Sequence, residues 1–440
     1  MALDLATCRS ELVVGCLMPS ANRRVVLTGI GVVTSIGMDA TAFWDGLAHQ
    51  RCGIKPIEAF DASALKTRIA GEIIGFEPKS YLSKEGRKSL RVMARSIQMA
   101  VAAAQLAIDD GQVDKTKLDP TRFGVEFGAG LIPSELTELG LASHLATEAN
   151  THAQDLKIWG EKSIPNIPPL WMLKYLPNML ACHVSILHNA QGPNNSITES
   201  DVGCLLALAE ANRIIRRDQS DFFLVGGADS KINALSMTRQ ELFGQLSTQN
   251  ESPQQALKPF DARRSGTVIG EGGCVLAIEE LSHAQKRGAP IYAELVGFGS
   301  TFDRGTTGQG LARAIRIALA QANIQPRDID HVNTHGLGSV RLDPFEARAI
   351  HDVFGTATTA WSVKPNIGTL GAGSGTTEIG ASLLAMKHGI LPPTLNFEQP
   401  DTACPIQVLA KARPITKPYF VKLGYTDMGQ CAAVVCRKWE

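Results

Sequence analysis

Two stretches far apart in the chain carry the same apolar strand pattern, with glycines at the same spacing. Val25-Val26-Leu27-Thr28-Gly29-Ile30-Gly31-Val32-Val33 and Ile291-Tyr292-Ala293-Glu294-Leu295-Val296-Gly297-Phe298-Gly299 share Leu-x-Gly-x-Gly, at Leu27, Gly29, Gly31 and at Leu295, Gly297, Gly299. Both runs are rich in β-branched and apolar residues and read as buried strands. After each comes a helix and then a second strand. In the first case an Ala-rich run from Ser89 to about Asp110 predicts a buried helix, and Phe123–Phe127 a strand. In the second, Leu311, Ile315, Ala318, Leu319 and Ala322 line one helical stripe, and His331–Asn333 reads as a strand. The recurrence predicts an internal duplication: two α/β halves with mainly parallel strands and helices on the sheet faces.

The 440 residues suit two or three domains. The expected division is an N-terminal extension over 1–22, a first half over 23–285 and a second over 286–440. Residues 132–170, with Pro165, Pro168 and Pro169, read as an insertion over the core, and residues 245–264 as a long polar loop. Forty-three basic residues balance forty-three acidic ones, which argues against a nucleic-acid partner. No apolar run is long enough for a membrane span. Asp4, Arg9 and Glu11 break up any signal peptide. Nine scattered cysteines with no Cys-x-x-Cys pair predict reduced thiols, no metal site and a cytoplasmic protein.

Four segments could carry chemistry. A strand ends near Thr198, and an apolar helix runs from about Asp201 past Ile215. Ser200 or Asp201 could cap that helix, a contribution of about 1 kcal/mol. Alternatively, its N-terminal dipole could serve an active group at Asp201. Ser200 lacks the Gly-x-Ser-x-Gly elbow of hydrolases. His335 follows a strand, where α/β folds place chemistry. The run Lys364 to Gly375 is glycine-rich yet is neither a Walker loop nor a dinucleotide fingerprint. Gly424 to Gly429 reads as a turn before a C-terminal strand over Ala432–Cys436.

These segments occur in the order and spacing of a known family. From about Arg23 to Lys438 the chain resembles the β-ketoacyl-[acyl-carrier-protein] synthases. The stretches that carry the likeness are RRVVLTGIGVVTSIG, GPNNSIT, VGGADS, KPFDARRSGTVIGEGG, PIYAELVGFGST, VNTHG and SVKPNIG. The resemblance implies a thiolase-like fold, with two duplicated α/β halves in a five-layer α-β-α-β-α arrangement, and a dimer. It also implies a Cys nucleophile and two His residues that decarboxylate a malonyl-carrier and stabilise the enolate. Carried onto this chain, the Cys position is Asp201, preceded by Ser200. The first His is His335 and the second is Thr369. Lys364 is kept, as is the acidic pair Asp343 and Glu346. The pantetheine-contacting Thr-x-Thr becomes Leu337-Gly338-Ser339, and the gating Phe becomes Asp427. Cys204, one turn beyond Asp201, is expected to be inert core.

The expected active set is thus Asp201, His335, Thr369, Lys364 and Glu346, with Ser200, Leu337, Ser339 and Asp427 toward the acyl and pantetheine pocket. No bound cofactor is implied; substrates would ride on the phosphopantetheine of an acyl carrier protein. Without the thiol, the resemblance implies a non-condensing partner akin to a chain-length factor, in a heterodimer with an active ketosynthase or in a homodimer. The alternative is acid–base chemistry on an acyl thioester at Asp201 and His335: hydrolysis, decarboxylation or a carbon–carbon bond step.

Overall fold

A computed structural model of the chain describes residues 23–440; the extension expected over 1–22 lies outside them. The first half comprises β1 (Val25–Val33), α1 (Arg95–Asp110), β2 (Phe123–Gly128), α2 (Met179–His188), β3 (Asn194–Ile197), α3 (Ser200–Arg216), β4 (Phe222–Ser230) and β5 (Glu271–Glu280). The second repeats that order with β6 (Ala293–Phe302), α4 (Gln309–Gln321), β7 (Ile329–Asn333), α5 (Leu342–Phe354), β8 (Thr359–Trp361), α6 (Ser374–His388), β9 (Tyr419–Tyr425) and β10 (Gln430–Lys438). The strands line up as β8-β7-β9-β10-β6-β1-β5-β4-β2-β3, with a two-residue strand, Gln407–Val408, beyond β8. Read outward from the centre, each half has the same order, so the duplication holds strand for strand. The β2, β3 and β4 strands run parallel, as do β7, β8 and β9. The halves join through a short antiparallel contact of β1 with β6, at Val26 with Glu294 and Leu27 with Ala293.

The repeated glycines have one steric cause. A Cβ at Gly29 or Gly31 would stand 2.3 Å from the Ala107 carbonyl oxygen or 1.8 Å from that of Ala103, both on α1. At Gly297 and Gly299 it would stand 2.2 Å and 2.0 Å from the Ala318 and Ala314 carbonyl oxygens on α4. In each half a helix lies directly on a strand, and only hydrogen at those two positions lets the backbones approach.

Three apolar clusters separate five layers. Helices α1 and α2 cover one face of the first half, with Met99, Ala103 and Val184 against Val125 and Phe127. Helices α4 and α5 cover the far face of the second, with Ile315 and Phe345 against Val332 and Val421. Between the two halves of the sheet lie α3 and α6, whose Val202, Leu205, Ile379 and Leu383 meet Phe223 and Val225 of one half and Phe420 and Val434 of the other.

Some expected boundaries move. The helix expected from Ser89 begins at Arg95, because Gly86–Val92, with Arg87, Lys88 and Arg91, forms a 3₁₀ segment at the surface. Strand β6 starts two residues later than expected, at Ala293, and continues to Phe302, where Phe302 pairs with Gln430. The 132–170 insertion contains a helix, Leu136–Leu145, and exposes Leu136, Leu141, Leu156 and Ile164. No helix among the described residues is long and apolar enough to cross a membrane.

At the far edge of the sheet, β3 pairs among the described residues only with β2 and has exposed Asn194 and Asn195. Beside it, Glu126 of β2 is buried on the α3 side, and its Oε2 has no hydrogen-bond partner among the described residues. Burial, with Glu210 of α3 nearby, pushes this carboxyl up to about 7.

Candidate functional site

The parallel strands of both halves end at one place, and the N-termini of α3 and α6 meet there in the middle layer. After β3 the chain turns through Ser200, whose φ of 44° lies in the left-handed region. That conformation costs of order 1–3 kcal/mol for a non-glycine residue, and such outliers cluster at functional sites. Its amide bonds the Ala129 carbonyl at 3.2 Å. Neither Ser200 nor Asp201 caps α3, contrary to the capping alternative: Glu199 occupies the cap position and no side chain bonds the free N–H groups. Instead the Ser200 hydroxyl donates to Asp201 Oδ2 at 3.2 Å. The Asp201 side chain is 25% exposed, so the carboxylate stands open at the site.

His335 comes from the loop after β7. Glu346, on α5, fixes that loop by accepting the amides of His335 (2.6 Å) and Gly336 (2.8 Å) on its two oxygens. Gly336 has φ +51°, and a Cβ there would strike Ser362 Oγ at 2.4 Å. Asp343 does the same one turn earlier, accepting from Ser339 at 3.1 Å and Phe260 at 2.8 Å. Burial pushes Asp343 up to about 7 and raises Glu346 as well. The imidazole is buried, with Tyr425 edge-on at 4.6 Å between ring centroids.

Lys364 Nζ donates to His335 Nδ1 at 3.1 Å, which places the ring proton on Nε2. That Nε2 faces Asp201 Oδ1 across 3.9 Å. Burial holds the imidazole well below its usual range, and the Lys364 and Lys422 charges push it further down. His335 is therefore a neutral N–H donor aimed at the carboxylate. Thr369, after Lys364, donates from Oγ1 to Asp201 Oδ1 at 3.5 Å. Ser200, His335 and Thr369 thus converge on Asp201.

Behind them lies a buried ion cluster. Glu378 of α6 accepts from Lys364 Nζ at 2.5 Å on one oxygen and is ion-paired with Lys422 Nζ through the other. Lys422, on β9, also donates to the Thr334 carbonyl at 2.8 Å. One carboxylate between two ammoniums leaves the cluster positive, which adds to burial in keeping His335 unprotonated. The sequence reading missed Glu378, Lys422 and Tyr425. Lys422 left a signal, as the lone charge inside an apolar strand; a charge there must be paired.

The remaining candidates lie further out. Leu337 is half-buried against the second-half core. Ser339 Oγ donates to Gln245 Oε1 at 2.7 Å. Asp427 is exposed in the turn after β9, next to Met428, which is 79% exposed. Cys204 is fully buried, with Sγ 2.9 Å from where a Cβ of Gly375 would stand. Its thiol is pushed up by burial, and it packs against the first turn of α6.

Two family models match the chain: the β-ketoacyl synthase N-terminal domain over residues 22–284 and the C-terminal domain over residues 292–398. The chain belongs to the β-ketoacyl synthase family. A putative polyketide β-ketoacyl synthase 1 of Streptomyces halstedii is 35% identical over 401 residues, covering 89% of this chain and 92% of that protein. The ishigamide ketosynthase/chain length factor superposes with a TM-score of 0.84 at 27% identity, covering 96% of this chain and all of that one. A type II polyketide synthase acyl-carrier protein in complex with its ketosynthase gives 0.80 at 26% identity, covering 95% and 100%. The fold is the thiolase-like one of these ketosynthases, and the chain is a ketosynthase-fold protein of fatty acid or polyketide-type synthesis.

Proposed function

We propose that this chain is a non-condensing ketosynthase-fold subunit that works beside an active ketosynthase, as a chain-length factor does. The observation that carries the reading is Asp201. A carboxylate stands at the N-terminus of the buried α3 helix, where the resemblance puts the nucleophilic thiol, and a carboxylate forms no stable thioester with an acyl chain. Thr369 adds to this, since a hydroxyl replaces the second imidazole as donor. The likeness to a ketosynthase/chain length factor supports a heterodimer, and the carrier-protein complex supports an acyl carrier protein as the second partner. Substrates would then arrive on phosphopantetheine, past Leu337, Ser339 and Asp427. The test is intact mass of the purified chain after incubation with acyl- and malonyl-carrier thioesters, alone and with a co-expressed active ketosynthase. The expected result is no adduct and no turnover alone, with a changed product length distribution in the pair. An acyl adduct on this chain would overturn the reading.

The 3.9 Å approach of His335 Nε2 to Asp201 Oδ1 favours a second reading. Here Asp201 acts as base and His335 and Thr369 as donors to a thioester carbonyl, with the acyl group held non-covalently. Release of free acid or of decarboxylated product by the chain alone would select it. Alanine at Asp201 would then abolish that release.

A further inference from the structure

Neither reading of the site uses a second buried histidine, His331, four residues before His335 on β7. Its ring lies parallel to Phe420 of β9, with centroids 5.4 Å apart, and edge-on to Trp361 of β8 at 5.9 Å. His331 Nδ1 is 3.1 Å from Asp330 Oδ1, and Nε2 is 3.0 Å from Ser382 Oγ on α6. Asn333 Nδ2 donates to that same Oγ at 2.8 Å and to the Glu378 carbonyl oxygen at 2.6 Å. Asp330, His331, Asn333 and Ser382 are all buried. At the outer end, Arg413 Nη2 and the Thr416 amide donate to Asp330 at 2.8 and 2.9 Å. At the inner end, the Glu378 side chain holds Lys364, and Lys364 holds His335.

The partners fix the direction of every bond in this chain. A main-chain carbonyl only accepts, so Asn333 turns its NH2 toward Glu378 and, with the second hydrogen, toward Ser382. It keeps that orientation although its Oδ1 has no hydrogen-bond partner among the described residues. Ser382 Oγ therefore accepts from Asn333 and gives its own proton to His331 Nε2. The ring proton of His331 then sits on Nδ1, facing the Asp330 carboxylate. This is the opposite tautomer to that of His335, whose Nδ1 accepts from Lys364. Aspartate, histidine and serine in this order would activate a nucleophile at a surface, but Ser382 is fully buried and meets no substrate. The chain leads instead to the site. Asn333 lies on the strand that delivers His335, and Glu378 on the helix that holds Lys364. We propose that His331 is a positioning residue: through Ser382 and Asn333 it keeps β7 and α6 in the register that lets Lys364 join Glu378 to His335. The proposal rests on neither reading of the site, because it concerns how His335 is held and not what His335 does.

The test is nitrogen NMR of the full chain with labelled histidine, the two rings being assigned through His331→Phe and His335→Gln. In the parent, the proton is expected on Nδ1 of His331 and on Nε2 of His335; a proton on His331 Nε2 would overturn the proposal, whatever the variants do. Ser382→Ala cuts the chain without crowding the helix. The His335 Nδ1 resonance should then move toward that of a ring nitrogen with no donor, as the Lys364 contact loosens. His331→Phe keeps a ring stacked on Phe420 and should give the same movement. The double variant should move it no further than either single one, since both cut one chain. Ser382→Thr keeps the hydroxyl and should keep the parent resonance. A role in packing alone predicts an unmoved resonance in His331→Phe. That result, an unmoved resonance in Ser382→Ala, or movements that add in the double variant would each overturn the proposal.

Discussion

Replacing Glu126 by Gln should stabilise this protein above neutral pH. The side chain is 1% exposed, on the α3 side of β2, with one oxygen unpartnered and Glu210 as a nearby like charge. Burial is the main cause that lifts the carboxyl from 4.5 to about 7. Between those values the folded chain holds a proton that the unfolded chain has released. A carboxyl raised in this way contributes stability that is fully present below pH 4.5 and is lost as pH climbs through 7. The slope is about 1.4 kcal/mol per pH unit, so the loss is of order 3 kcal/mol by pH 8. A neutral amide of the same shape has no such loss. At roughly 2 °C per kcal/mol, Glu126→Gln should melt about 5 °C above the parent at pH 8, with the curves converging toward pH 4.5. Thermal scans by circular dichroism from pH 4.5 to 8.5 read this directly. A variant that melts below the parent at pH 8, or a gap that does not change with pH, would refute the argument.

Three other outcomes follow from the geometry. Gly31→Ala and Gly299→Ala drive a methyl into the Ala103 and Ala314 carbonyls, so both should lose at least the ~1–3 kcal/mol of overpacking, while Gly160→Ala, with open space around it, should be silent in the same melts. Glu378→Gln leaves two buried ammoniums against one amide and should cost about 3–5 kcal/mol; Lys422→Met leaves a balanced Lys364–Glu378 pair and should cost less, and the reverse ranking in chemical unfolding would contradict the cluster. His188 is buried, which lowers it to about 3, so the stability it contributes is present above pH 6.5 and lost as pH falls toward 3; His188→Gln should flatten the acid limb of a melting-temperature profile by about one proton.

Much of the frame was legible because duplication leaves local marks. The Leu-x-Gly-x-Gly pair records a helix pressed onto a strand, and that contact recurs at the same offsets in both halves. Asp201, His335, Thr369 and Lys364 were legible through the resemblance, because the stretches that carry it align those positions with the family's active site. The groups that tune them were not. Glu378 looks like an ordinary helix residue, and Lys422 meets it only because β9 and α6 pack across the middle layer. The start of α1 was misjudged because helix propensity does not mark where burial begins.

The β3 edge has a consequence for how such a chain is controlled. Ile197 ends that strand, and Ser200, held at positive φ, is three residues later. A strand added along Asn194–Ile197 would therefore take hold of the short tether that sets the pitch of the turn bearing Asp201. Pairing at the rim would then act on the turn that carries Asp201 through a link of three residues.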